Sequence, residues 1–240
     1  MVKFSETDLI EAATCYLDGG ADYREALKAV RLPPTRKTAY VILRFLIDWG
    51  ELGRNLTKKD TDGEPRRKCL TALRKWLSKK NNRHDLKLLS QRTLLEFSTN
   101  PNKDTTEALL RLYKGLDGIP GFGATAVGKT LHILLPKLCV VWDEEYVRKK
   151  QGYGNNGHAY IEYLKTRGRL LCTLEGIRKA HKHRSLDETV HWIRERATEE
   201  YLARGRDAPI TRFLDEINYG SERVVRRLKD LREQVRQRTQ

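Results

Sequence analysis

The sequence is short of acid. Its 240 residues carry 47 Lys and Arg against 32 Asp and Glu, a net charge of +15. An excess that large favours a polyanionic partner, nucleic acid first and an anionic membrane surface second. Cysteine is scarce too. Cys15, Cys69, Cys139 and Cys172 lie far apart and form no CxxC pair, which argues against zinc and against an iron–sulfur cluster. No carboxylate or cysteine is spaced for a metal, so neither a metal nor another cofactor is expected. Reduced thiols in a cytoplasmic setting fit best. Long apolar runs are missing, and none approaches the roughly 20 residues of a membrane span. The N-terminus, MVKFSETDLIEA, turns amphipathic and acidic at once, unlike a signal peptide. The strict alternation of a half-buried strand is absent as well. The best strand candidate, Leu138–Cys–Val–Val–Trp142, stands alone, and there are no repeats. These absences leave an all-α fold.

Helical periodicity fills most of the chain. A helix follows Ser5–Glu–Thr–Asp8, a capping-box-like start, and stops at Gly19–Gly20. A short helix runs from Asp22 to Val30. Pro33–Pro34 seeds another, carrying Tyr40, Ile42, Leu43, Phe45, Leu46 and Trp49, apolar around most of its circumference and so a core helix. Residues 53–64 read as a loop. Pro65 opens a helix with Leu70, Leu73, Trp76 and Leu77 on one face and Arg66, Arg67, Lys68, Arg74, Lys75, Lys79 and Lys80 crowding the rest. Such a face is either merely solvated or in contact with phosphates. Further helices are expected over 85–97, from a cap at Asp104 or Thr105 to about Lys114, over 158–167 and 169–183, and from the capping box Ser185–Glu188 to about Leu202. Gly205 to Pro209 is a break, and a last basic helix covers 221–240.

The informative stretch is Leu116–Arg148. Gly123 to Thr130 satisfies the phosphate-loop pattern GxxxxGK[ST]. That pattern needs a strand before it and a parallel sheet around it, and neither is legible here. The second reading starts at Ile119–Pro120–Gly121–Phe122–Gly123, an apolar residue followed by P-G-x-G between two helices. Glycines there permit a tight turn and the close approach of another backbone. The following helix then points its unpaired N–H groups outward, where they and the dipole favour an anion such as a DNA phosphate.

This stretch resembles the hairpin and catalytic loop of the helix-hairpin-helix DNA glycosylases, the superfamily of endonuclease III. There an essential aspartate follows the last hairpin glycine by about twenty residues, past a proline-containing apolar loop. Asp143 stands at that spacing from Gly123, beyond Pro136, and Arg148 matches a basic residue one turn later. The resemblance implies two helical subdomains flanking a cleft, with the N- and C-terminal helices packed together as one of them. It further implies a monomer, associated with the nucleoid, that removes a damaged or mismatched base from double-stranded DNA. Gly121, Phe122, Gly123, Thr125 and Arg148 would hold DNA, and Asp143 would stabilise the sugar cation or activate water. The plainer role for Asp143 is a helix N-cap, and both can hold.

The chain departs from the family in four places. Thr125 stands where strand-cleaving members carry lysine, Trp142 replaces a small residue before the aspartate, Glu144 and Glu145 follow it, and no cysteine cluster follows the domain. Lys129, one turn beyond Thr125, is the candidate for a Schiff-base nucleophile that would add AP lyase activity. The alternative is a lysine paired with phosphate or with Asp143. A flipped base needs a wedge and pocket walls, for which Trp142 and Tyr146 are the candidates, with Phe122, Tyr153 and Trp49 also available. His132 reads as structural, and His181 and His183 as surface charge or phosphate contacts. Two other functions remain in view: a non-catalytic DNA-binding protein that keeps the hairpin, and a nucleotide hydrolase.

Overall fold

The computed structural model describes residues 5–7, 9–10, 21–49, 63–149, 151–197, 210–215 and 217. Among these residues every regular element is helical and no strand forms, so the fold is all-α. The chain divides into two compact units. One is Gly20–Arg169, and the other joins Met1–Gly19 to Leu170–Gln240.

The central unit holds α1 (Ala21–Ala29), α2 (Arg36–Asp48), α3 (Glu64–Ser78), α4 (Lys80–Ser90), α5 (Leu94–Thr99), α6 (Lys103–Asp117) and α7 (Ala124–Leu134). A π-helical turn, Glu144–Lys149, and the first part of α8 (Gly157–Ala180) complete it. Each long helix follows its apolar stripe. The α2 helix buries Ala39, Ile42, Leu43, Phe45 and Leu46, and α3 buries Cys69, Leu73, Trp76 and Leu77 while its basic residues face out. The α6 helix buries Leu109, Leu112, Tyr113 and Leu116 and is tied to α4 by a two-pronged ion pair. Arg111 Nε and Nη2 donate to the buried Asp85 carboxylate at 3.0 and 2.9 Å.

Four expected boundaries move. The helix expected over 85–97 is two, because Thr93 and Glu96 form a capping box. The Glu96 N–H donates to the Thr93 hydroxyl at 3.3 Å and the Thr93 N–H to the Glu96 carboxylate at 2.8 Å. The α6 cap is Asn102, whose side-chain oxygen accepts the Asp104 N–H at 2.7 Å, rather than Asp104 or Thr105. The helices expected at 158–167 and 169–183 are one continuous α8. Gly168 does not break it but lets it lie against Ser98 of α5, where an added Cβ would overlap the serine. Finally, α8 ends without glycine: Lys182 takes the left-handed conformation (φ 57°), and the His183 N–H donates to the Arg178 carbonyl at 2.9 Å.

In the second unit, α9 (Leu186–Ala197) starts where the Glu188 N–H donates to the Ser185 hydroxyl at 3.1 Å. His181 lies 3.0 Å from the Glu6 carboxylate and 4.3 Å from the Trp192 ring, and His183 Nδ1 is 3.1 Å from the Thr189 hydroxyl. Both imidazoles are thus engaged within their own unit. Arg212 and Asp215 form a buried ion pair. Of the first helix, residues 5–7, 9 and 10 are described, with the Leu9 N–H donating to the Ser5 carbonyl at 3.2 Å. The stop at Gly19–Gly20, residues 53–62 of the expected loop, the break at 205–209 and the last basic helix lie outside the described residues.

Candidate functional site

The connection between α6 and α7 is a tight turn. The Phe122 N–H donates to the Ile119 carbonyl at 3.0 Å, with Pro120 and Gly121 at the two central positions. Gly121 has φ 85°, the left-handed backbone that the second central position of such a turn demands and that a Cβ disfavours. Ile119 and Phe122 point into the core while Pro120, Gly121 and Gly123 face solvent. The turn therefore presents backbone, not the Phe122 ring. Gly123 is the N-cap of α7 and offers no side chain to its first turn, which also lacks any acidic residue. None of the described residues lies within 4 Å of where a Gly123 Cβ would stand. The N-terminus of α7 thus keeps the positive end of its dipole uncompensated by its own side chains. Thr125, one residue into α7, is buried.

Residues 139–143 belong to no helix and, among the described residues, pair with no strand. The carbonyls of residues 139, 140 and 141 are instead held one by one from side chains. His132 Nδ1 lies 2.6 Å from the Cys139 carbonyl oxygen, the Tyr160 hydroxyl donates to that of Val140 at 2.9 Å, and the Tyr163 hydroxyl to that of Val141 at 2.9 Å. The segment is buried from Leu138 to Trp142, so each carbonyl needs such a donor. His132 accordingly has a structural task, as expected. Trp142, expected as a wedge or a pocket wall, lies in the core. It is fully buried, with Tyr113, Tyr153, Tyr160 and Tyr163 around its ring at centroid distances of 6.5, 6.1, 4.9 and 5.5 Å. A side chain in that place is core and is not available as a wedge between bases. The Tyr146 side chain lies outside the described residues.

Asp143 follows directly, 9% exposed, at the head of the π-helical turn. Its carbonyl accepts the Arg148 N–H at 2.9 Å and the Val147 N–H at 3.3 Å. Arg148, expected on DNA, turns back to Glu144 at 2.6 Å, and Lys149 reaches the same carboxylate at 3.3 Å. The Arg148 Nε is buried and finds no acceptor among the described residues.

Lys129 sits on α7 only 4% exposed, with its Nζ 4.7 Å from the centre of the Trp49 ring. An ammonium over an indole face is a favourable, desolvated arrangement. The preceding residue, Gly128, has its Cα against Trp142: a Cβ there would stand 2.8 Å from the Trp142 Cβ and 3.2 Å from its N. This close approach explains the glycine of the phosphate-loop pattern. Residues 124–134 are helical throughout, so the pattern Gly123–Thr130 lies within a helix and not in a loop before one. Lys129 and Asp143 are each the next residue along from the Gly128–Trp142 contact.

No protein-family model, curated protein or solved structure matches the chain. The site therefore rests on its own geometry. Among the described residues no His, Cys, Asp or Glu cluster could hold a metal, and no helix is long and apolar enough to cross a membrane. The sequence did not single out Tyr160 and Tyr163. The available signal was two tyrosines three residues apart on a helix, downstream of an apolar run with no strand to pair with.

Proposed function

We propose that this protein is a DNA base-excision glycosylase. The observation that carries the reading is Asp143, a nearly buried carboxylate at the head of a helical turn, which follows a segment whose carbonyls are held from side chains and stands twenty residues beyond a glycine turn that opens a helix N-terminus. The exposed backbone of Gly121 to Gly123 and the first N–H groups of α7 suit a DNA phosphate, which positions the duplex without reading sequence. The target nucleotide is flipped out of the stack. Asp143 then stabilises the developing positive charge on the sugar as the C1′–N bond breaks and the base leaves with the bonding electrons. It also takes a proton from the water whose oxygen bonds to C1′. In a lyase variant of the reaction the Lys129 amine, after giving up a proton, bonds to C1′ in place of water as the base leaves; the C1′–O4′ bond then opens to give the Schiff base, and loss of a C2′ proton expels the 3′ phosphate and cuts the strand.

The test is incubation of the protein with duplexes carrying a panel of deaminated and oxidised bases, followed by alkali. Asp143→Asn is expected to lower base release by about 100-fold or more. If no lesion yields abasic sites, the enzymatic reading is lost. Borohydride trapping decides the nucleophile: a Lys129→Ala protein that still traps DNA excludes Lys129.

A second reading is DNA binding without chemistry. It is favoured by the stacking of Lys129 on Trp49, which gives the lysine a structural task. It predicts salt-sensitive DNA binding and no product from any lesion.

A further inference from the structure

The α3 and α4 helices meet at a single residue, Lys79, which ends one and caps the other. The corner is held firmly. The Asn82 side chain donates to the Trp76 carbonyl at 2.8 Å and Arg83 Nε to the Leu77 carbonyl at 3.1 Å, so α4 satisfies the C-terminal carbonyls of α3. On α3, Arg67, Arg74 and Lys75 recur at helical spacing opposite the buried Leu73 and Trp76. On α4, Lys80 and Lys87 do the same opposite Leu86 and Leu89. Residues 64–91 contain nine Lys and Arg but only two acids. Both acids are already engaged, Glu64 with Lys68 at 2.6 Å and Asp85 with Arg111 at 2.9 Å.

We propose that the outer stripes of α3 and α4, joined at the Lys79–Lys80 corner, form a second docking surface for the phosphate backbone of double-stranded DNA, separate from the α6–α7 turn. This rests on the DNA-directed reading above and extends it to residues outside the glycine turn and Asp143. The eight helical steps from Arg67 to Lys75 span about 12 Å of helix. A duplex carries one charge per about 1.7 Å of its axis, so the stripe reaches several phosphates. A lipid surface fits less well. Membrane-lying helices pair basic residues with large apolar ones that enter the bilayer. Tyr40, on α2, is the large apolar side chain that stands well exposed among the described residues, and α3 and α4 offer none.

The test measures binding of the full-length protein to a short undamaged duplex between about 50 and 200 mM salt. Three proteins are compared: wild type, a neutral quadruple variant (Arg74→Ser, Lys75→Ser, Lys79→Ser, Lys80→Ser) and a charge-keeping one (Arg74→Lys, Lys75→Arg, Lys79→Arg, Lys80→Arg). The log–log salt slope of the neutral variant is expected to flatten by about three to four units, at roughly 0.9 per lost phosphate contact. The charge-keeping variant should retain the wild-type slope. An unchanged slope in the neutral variant overturns the proposal, as does an equal loss in both variants. Wild-type binding to phosphatidylserine vesicles but not to the duplex overturns it in favour of a membrane. Base release is assayed separately on the lesion panel. A flattened slope without base release removes the glycosylase reading and leaves the surface standing. Base release with an unchanged slope does the reverse.

Discussion

Replacing Gly128 by alanine tests whether the helix carrying Lys129 is held against the segment carrying Asp143. Two effects oppose each other. Alanine in a helix interior is favoured over glycine by about 0.8–1 kcal/mol. The new Cβ, however, would stand 2.8 Å from the Trp142 Cβ and 3.2 Å from its backbone nitrogen, where ordinary contact begins at 3.4 Å. The two elements must part by roughly 0.6 Å, and overpacking of this kind costs about 1–3 kcal/mol. The segment cannot simply yield, because its carbonyls at 139, 140 and 141 are held from His132, Tyr160 and Tyr163. The net expectation is a loss of about 1 kcal/mol, or about 2–4 °C in Tm for a chain of this size. Gly176→Ala serves as the control. Gly176 lies inside α8, with none of the described residues within 4 Å of where its Cβ would stand, so helix propensity alone should stabilise that variant by up to about 1 kcal/mol. Urea denaturation at constant m-value reports both. A Gly128→Ala protein stabilised by about 1 kcal/mol would mean that helix propensity acts alone. The close approach to Trp142 would then be refuted.

Three further outcomes are expected. Tyr163→Phe removes the donor to the buried Val141 carbonyl and should cost about 1–3 kcal/mol in the same denaturation assay; a neutral effect would show that the carbonyl has another donor. Stability should fall in the alkaline range, because burial raises Cys69 from 9.0 to about 11, Cys139 from 9.0 to about 12 and Tyr113 from 10.0 to about 12. These groups keep their protons in the folded state when the unfolded chain has lost them. Their contribution is therefore complete below pH 9 and drains away toward pH 12, by up to about 1.4 kcal/mol per pH unit for each proton; a Tm independent of pH between 9 and 11 would contradict it. Lys182→Gly should stabilise the end of α8 by about 1 kcal/mol, since Lys182 occupies a left-handed position (φ 57°) that glycine adopts without strain; a lower Tm would contradict that.

The helices with one clear apolar stripe were legible. The periodicity of α3 and α6 located them, because burial on one side dictates spacing, whereas α2, read as apolar around most of its circumference, leaves Tyr40 exposed. What misled was punctuation. Gly168 looked like a helix end and is a contact point with Ser98. Thr93 carried no obvious break and yet starts a new helix through its bond with Glu96. Glycine and threonine each serve two physical purposes, and the local sequence does not say which is in use. In the site, the turn at Gly121 was readable because proline followed by glycine specifies its backbone. The inward turn of Phe122, the burial of Trp142 and the pairing of Arg148 with Glu144 were not. Those depend on which neighbours the fold supplies, and aromatic or basic character alone leaves that open.

The side-chain clamp on residues 139–141 also sets an order in time. Its donors come from positions 132, 160 and 163. During synthesis the chain is made from its N-terminus at about 5–20 residues per second, so Asp143 leaves the ribosome with one donor of the three ahead of it and two still to come. The carboxylate acquires its fixed address only when the first turns of α8 arrive. A nascent chain stalled short of residue 160 carries every residue of the glycine turn and of the catalytic proposal, and yet lacks the two tyrosines that hold Asp143 in register.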